Sequence, residues 1–143
     1  MDRGDLSALT QLRLTKGQLE SMRSHVESCL PREGCGLLAG KAGVVQEIIP
    51  VTNDVRSPVR FRMNPQEQLR AFDWMEGHGL ELLGIFHSHP DGPAGLSPTD
   101  IAEAAYQVVY LIWSHGQGVW KVNGFWIEET RVSEVKLYAA DRG

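Results

Sequence analysis

The sequence predicts a single domain of the α/β or α+β class, a mixed β-sheet flanked by helices. Three observations predict it. The chain has 143 residues, the size of one domain. Apolar residues make up 42%, enough for a core, and charged residues an ordinary 22%. Stretches with helical periodicity are interspersed with short apolar runs bounded by turn residues. One domain is expected over residues 1–143.

The elements follow in chain order. Thr15 opens a helix in which Leu19, Met22, Val26 and Leu30 recur at three- and four-residue steps, and Pro31 ends it. CGLLAG (35–40) and VVQEIIPV (44–51) read as strands joined tightly through Lys41, Ala42 and Gly43. Residues 52–63 read as a surface loop with a short strand, and Arg56, Arg60 and Arg62 as its solvated face or a contact for an acidic partner. Asn64 caps a second helix with Pro65 at its first position and Glu67 placed to reach back. Leu69, Phe72 and Met75 supply its inner face, and Gly77 and Gly79 close it.

ELLGIFHS (81–88) is a largely continuous apolar run, expected as a buried strand. Ser97 and Pro98 begin a third helix with Ile101, Ala104 and Ala105 facing inward. VVYLIWS (108–114), VWKVNGFWIEE (119–129) and SEVKLYA (133–139) read as successive antiparallel strands. Trp74, Trp113, Trp120 and Trp126 read as core or sheet-face residues, with an aromatic groove for an extended peptide as the alternative.

Several classes of function are disfavoured. Net charge is −4 and no Lys or Arg run stands out, so no basic groove for nucleic acid is advertised. Cys29 and Cys35 show neither a disulfide framework nor zinc-ribbon spacing, which fits a reduced, cytoplasmic setting. The opening MDRGDLSALTQL lacks the apolar core of a signal peptide, and no stretch is long enough to cross a bilayer.

The chemistry concentrates at His87-Ser88-His89. Along a strand, positions i and i+2 point the same way, so the two imidazoles project together from the strand end. Asp100 stands just inside the helix that Ser97 caps, and Pro90, Gly92, Pro93 and Gly95 let the intervening loop turn back. Two nitrogens and one carboxylate oxygen suit Zn2+, and three protein ligands leave a fourth position for water. Such a water needs a proton acceptor, and Glu33, beside the apolar strand at 35–40, is the candidate. Ser97 can cap the helix and still donate its hydroxyl proton to a developing oxyanion. His25, His78 and His115 read as structural histidines, and Cys35 as a small core residue that could line the site.

The set His87-Ser88-His89-Pro90, Ser97-Pro98-Thr99-Asp100 and an upstream Glu33 resembles the JAMM or MPN-plus metallopeptidase signature, H-x-H-x7-S-x-x-D with an earlier Glu. Glu33 to Gly40 looks like that family's first strand. Ser57-Pro58, Asn64-Pro65 and the strand before His87 look like its small stand-alone prokaryotic members. The likeness runs over the chain after Leu12. It implies a cytidine-deaminase-like fold, zinc on His87, His89 and Asp100, Glu33 as general acid and base, and Ser97 as oxyanion donor. It also implies peptide or isopeptide substrates, cut after the C-terminal glycine pair of ubiquitin-like modifiers or sulfur-carrier proteins.

Three other readings compete. A non-catalytic scaffold of the same fold would be expected to lack ligands, and none is missing here. A DNA-associated protein like the RadC group carries similar spacing, but the acidic balance and the Glu-Gly-Cys-Gly strand argue against it. A deaminase needs a His/Cys/Cys type of site, and Cys29 and Cys35 lack the Pro-Cys-x-x-Cys arrangement.

Overall fold

The computed structural model describes residues 9–55 and 57–140. Arg56 of the arginine loop therefore lies outside the described residues. The fold is a mixed α+β arrangement with seven strands and three helices in the order β1 (Gln11–Thr15), α1 (Lys16–Cys29), β2 (Cys35–Lys41), β3 (Val44–Val51), α2 (Pro65–Gly77), β4 (Glu81–His89), α3 (Pro98–Ala102), β5 (Val109–Gly116), β6 (Val119–Glu128) and β7 (Arg131–Ala140).

The strands close into a barrel in the order β1-β3-β2-β4-β5-β6-β7. β4 lies between β2, to which it is antiparallel, and β5, to which it is parallel. The hairpins β2–β3, β5–β6 and β6–β7 are antiparallel, as their short connections require. β1 was not expected from the sequence, because two leucines in five residues are too brief a signal. It alternates cleanly, Leu12 and Leu14 being buried, and it runs parallel to β7. A single pair, Arg13 with Val44, joins it to β3 and closes the barrel.

Two clusters of buried side chains sit on opposite faces of the sheet. One joins Met22 and Val26 of α1 to Leu12, Leu38, Phe86, Leu111, Trp113 and Trp126. The other joins Ala71 and Met75 of α2 to Leu37, Ala39, Ile85 and Tyr110, with Phe61, Leu96 and Ile101 at its margin. Along β4 the register with β2 passes from Leu38 opposite Gly84 to Ala39 opposite Leu82, so Leu83 is an unpaired extra residue. After this bulge Phe86 faces the α1 cluster, while Ile85 faces the α2 cluster. By strand alternation His87 and His89 take the side of Ile85.

Thr15 caps α1 with a full capping box: its hydroxyl accepts from the Gln18 N–H, and the Gln18 side chain accepts from the Thr15 N–H. Asn64 caps α2 and Pro65 opens it. Two inner-face expectations need correction. Leu69 is 62% exposed, and Ala71 takes the inward position with Met75. Leu69 stands two positions from Ala71, roughly 200° round the helix, so the two cannot share a face. The third helix stops at Ala102, and Ala105, beyond its end, is exposed. No helix among the described residues is long and apolar enough to cross a membrane.

Candidate metal centre

The site forms where the end of β4 meets the start of α3. His87 and His89 are buried, at 1% and 5% exposure, because they lie on a central strand covered by the loop and α3. Asp100 is brought to them by a second capping box. The Ser97 hydroxyl accepts from the Asp100 N–H at 3.0 Å, and Asp100 Oδ2 accepts from the Ser97 N–H at 2.8 Å. The carboxylate that starts the helix is therefore fixed in direction before it meets anything else.

His89 Nε2 lies 3.1 Å from Asp100 Oδ2, and His87 Nε2 lies 3.1 Å from Oδ1. The first contact has hydrogen-bond geometry; the second is close but misdirected, leaving both His87 nitrogens without a hydrogen-bond partner among the described residues. One ligand atom from each of His87, His89 and Asp100 falls within 4.8 Å of the others. A fully buried imidazole with two idle nitrogens beside a carboxylate is costly unless a cation completes it. The donor set fits a divalent ion of the zinc type.

The orientation of His89 is set from behind. Its Nδ1–H donates to the Pro93 carbonyl at 2.8 Å, which reserves Nε2 for the centre. That loop needs Gly92, since a Cβ there would stand 2.8 Å from His89 Cβ. Phe61 covers His87, the rings stacking at 4.4 Å and 24°.

Protonation follows from these contacts. Burial drives His87 toward the neutral form. Burial also opposes charge on His89, but its bonds to Asp100 and the Pro93 carbonyl outweigh that and raise its pKa. Burial would raise Asp100 as well, yet the two imidazoles and the Ser97 N–H hold it well below the usual carboxylate range. A cation entering here displaces the His89 proton, so binding strengthens as pH rises through the imidazole range.

Glu33 stands on the approach to β2, 3% exposed, with Oε1 unpartnered among the described residues. Burial pushes its pKa up to about 8, against the pull of His89 and with a small push from Asp100. Its main chain is tied to β4 through the residue between the histidines: the Gly34 N–H donates to the Ser88 hydroxyl at 2.8 Å, and the Ser88 N–H donates to the Gly34 carbonyl at 3.0 Å. On the other side the Glu33 N–H donates to the Ser57 carbonyl at 3.1 Å.

A stability consequence is testable in metal-stripped protein. Glu33 titrates from 4.5 in its ordinary state to about 8 in the fold, so the fold favours its neutral form. The resulting penalty is absent below the ordinary value, grows as pH rises, and is complete above the folded value. Glu33→Gln is expected to be more stable than wild type by about 2–4 kcal/mol at pH 9 and equal to it near pH 4. Urea melts of both proteins across that range check this, and a pH-independent difference counts against it.

Of the five residues expected from the sequence, His87, His89 and Asp100 converge, Ser97 caps the helix that carries Asp100, and the charges of His89 and Asp100 bear on Glu33. Elsewhere, His25 Nε2 lies 3.1 Å from the Cys35 carbonyl, His78 stacks on Trp74, and His115 packs on Trp120. Trp113 and Trp126 are core residues, whereas Trp74 is 38% exposed. Arg60 is exposed and pairs with Glu103 at 3.8 Å. Cys35 is fully buried, and burial pushes its thiol far up, away from reactivity.

Sequence reasoning missed Ser88 and Phe61. The signals available were a hydroxyl between two histidines and one aromatic in a polar loop.

The family model described as prokaryotic homologs of the JAB domain matches residues 15–127. This chain belongs to that family. It is a small prokaryotic JAMM/MPN member. A "Probable TtuB-protein conjugate cleaving protease" of Thermus thermophilus is 43% identical over 103 residues, 71% of this chain and 69% of that one. A desampylase of Pyrococcus furiosus is 38% identical over 108 residues, 73% of this chain and 74% of that one. The solution structure of a protein from Desulfitobacterium hafniense superposes with a TM-score of 0.84 at 36% identity, covering 92% of this JAMM/MPN chain and 94% of that one.

Proposed function

We propose that this protein is a zinc-dependent peptidase that hydrolyses the peptide or isopeptide bond after the C-terminal Gly-Gly of a ubiquitin-like or sulfur-carrier protein, acting as one domain in the cytoplasm. The observation that carries it is the convergence of two imidazoles and a carboxylate beside a buried glutamate with an idle oxygen. Support for the substrate class comes from the two relatives, a conjugate-cleaving protease and a desampylase. The free Cys29 and Cys35 accord with a reducing compartment.

His87, His89 and Asp100 would hold the ion. Bound there, zinc supplies Lewis-acid polarisation of a carbonyl and makes water a nucleophile at neutral pH. Glu33 accepts the proton of the attacking water at Oε1 and returns it to the departing amine. Its proton affinity, raised to about 8 by burial, suits a group that takes and gives a proton near neutrality, and a cation beside it draws it back toward the ionised form. Ser97 donates its hydroxyl proton to the carbonyl oxygen as charge builds there, an effect worth about 2.7–4 kcal/mol per donor. Phe61 keeps water off the His87 ring.

The test uses zinc-loaded protein and fusions in which small carriers ending in Gly-Gly are joined to a reporter, either linearly or through a lysine side chain. Intact mass is expected to show cleavage after the second glycine, stopped by a chelator and restored by zinc. Intact fusions across several carriers of both linkages would sink the reading and favour an assembly role.

A further inference from the structure

Building on the role given to Glu33, we infer that Asn53 is a positioning residue that locks Glu33 and the loop carrying Phe61 to each other. Asn53 follows β3 and forms an isolated bridge with Met63, so it stands at the neck of the loop between them. Its side chain makes four hydrogen bonds. Nδ2 donates to the Glu33 carbonyl at 2.9 Å and to the Arg60 carbonyl at 3.2 Å. Oδ1 accepts from the Val55 N–H and the Arg62 N–H, each at 2.9 Å.

An asparagine amide has two donor hydrogens and two acceptor lone pairs, so nothing is left over. The orientation is unambiguous as well. Flipping the amide would set its oxygen against two carbonyls and its NH2 against two N–H groups. A simple turn needs only the bond to Val55, two residues on. The other three reach across the loop and into the stretch that carries Glu33.

What hangs on this amide is large for one residue. Among the described residues the Glu33 carboxylate has no hydrogen-bond partner at Oε1, so the direction of this oxygen follows the main chain that carries it. That main chain is held on one side by Ser88 of β4 and on the other by the loop, through Ser57 and Asn53. Arg60 and Arg62, both gripped by Asn53, flank Phe61, which stacks on His87. One side chain therefore sets the distance between the proton-transfer group and the cover over the metal ligand. Its four bonds all go to main-chain atoms, none of them in His87, His89 or Asp100.

Asn53→Asp keeps the size and both accepting contacts but turns the two donors into an oxygen facing two carbonyls. The expected result is a fall in kcat of about 100-fold, the scale of an ångström-level misplacement, with KM and bound zinc nearly unchanged. In a Glu33→Gln background, followed over long incubations, the same substitution should cost little more, because the two changes disable one function. Should Asn53→Asp fold poorly by thermal melt, Asn53→Ala, which removes all four bonds without adding charge, is read in the same cycle. Full kcat in a folded variant, an equal fold-loss in both backgrounds, or a loss explained by missing zinc would each overturn the proposal. Full turnover by Glu33→Gln alone would bring down the role of Glu33 and this proposal with it. An inactive Glu33→Gln beside a fully active Asn53→Asp overturns only the proposal.

Discussion

Glu33→Gln is expected to lower kcat by about 10²- to 10⁴-fold while zinc stays bound. The substitution keeps the shape of the side chain and removes its ability to take a proton. Glu33 is not among the three groups whose ligand atoms converge, so the metal content, measured by elemental analysis, should match wild type. The bond from its own N–H to the Ser57 carbonyl and the ties of neighbouring Gly34 to Ser88 do not involve the carboxyl, so glutamine retains them. Loss of turnover with full zinc assigns proton transfer to this carboxyl. Loss of zinc together with turnover would instead make Glu33 part of the metal's support, and unchanged turnover would remove it from the chemistry.

His89→Ala is expected to leave zinc far below one ion per chain and to cut turnover by about 10³-fold or more, since the metal's share of transition-state stabilisation is several kcal/mol. His89 is a cleaner target than Asp100. Removing the Asp100 carboxylate also opens the capping box with Ser97, so α3 would suffer along with the metal. His89 caps no helix, and among the described residues its Nδ1 bonds to the Pro93 carbonyl. The measurement pairs elemental analysis with thermal melts. Zinc should raise the melting temperature of chelator-stripped wild type, because it binds the folded state alone, and should leave that of His89→Ala in place. A variant that keeps its zinc and its zinc-dependent melting shift would disprove the ligand role.

The parts of the site that were legible beforehand are those governed by local geometry. Two imidazoles at i and i+2 must share a strand face, and a Ser-x-x-Asp before a helix must bring the carboxylate back to its own cap. Glu33 could be singled out but not located, because its approach to the histidines depends on β2 pairing with β4, a contact between distant stretches of chain. Asn53 and Phe61 were illegible for the same reason: the bonds of Asn53 span its loop and the stretch before β2, which no periodicity encodes. The fold reads similarly. Thr15 and Asn64 announced their helices through cap chemistry, whereas β1 became visible only as the partner of β7. At α2, the large Leu69 is the stronger hydrophobic signal in the sequence, but the small Ala71 is the residue buried with Met75.

The extra residue at Leu83 divides β4 into two parts with separate tolerance to insertions and deletions. Upstream, at Glu81 and Leu82, a change in chain length can be taken up by dissolving or moving the bulge, and the remainder of the strand keeps its parity. Between Gly84 and Phe86 no such slack exists. Losing one residue there would rotate both imidazoles into the oily side against α1, leaving Asp100 facing Ser88 or bare backbone. Length variation among homologous chains should therefore accumulate before this point and stop abruptly after it.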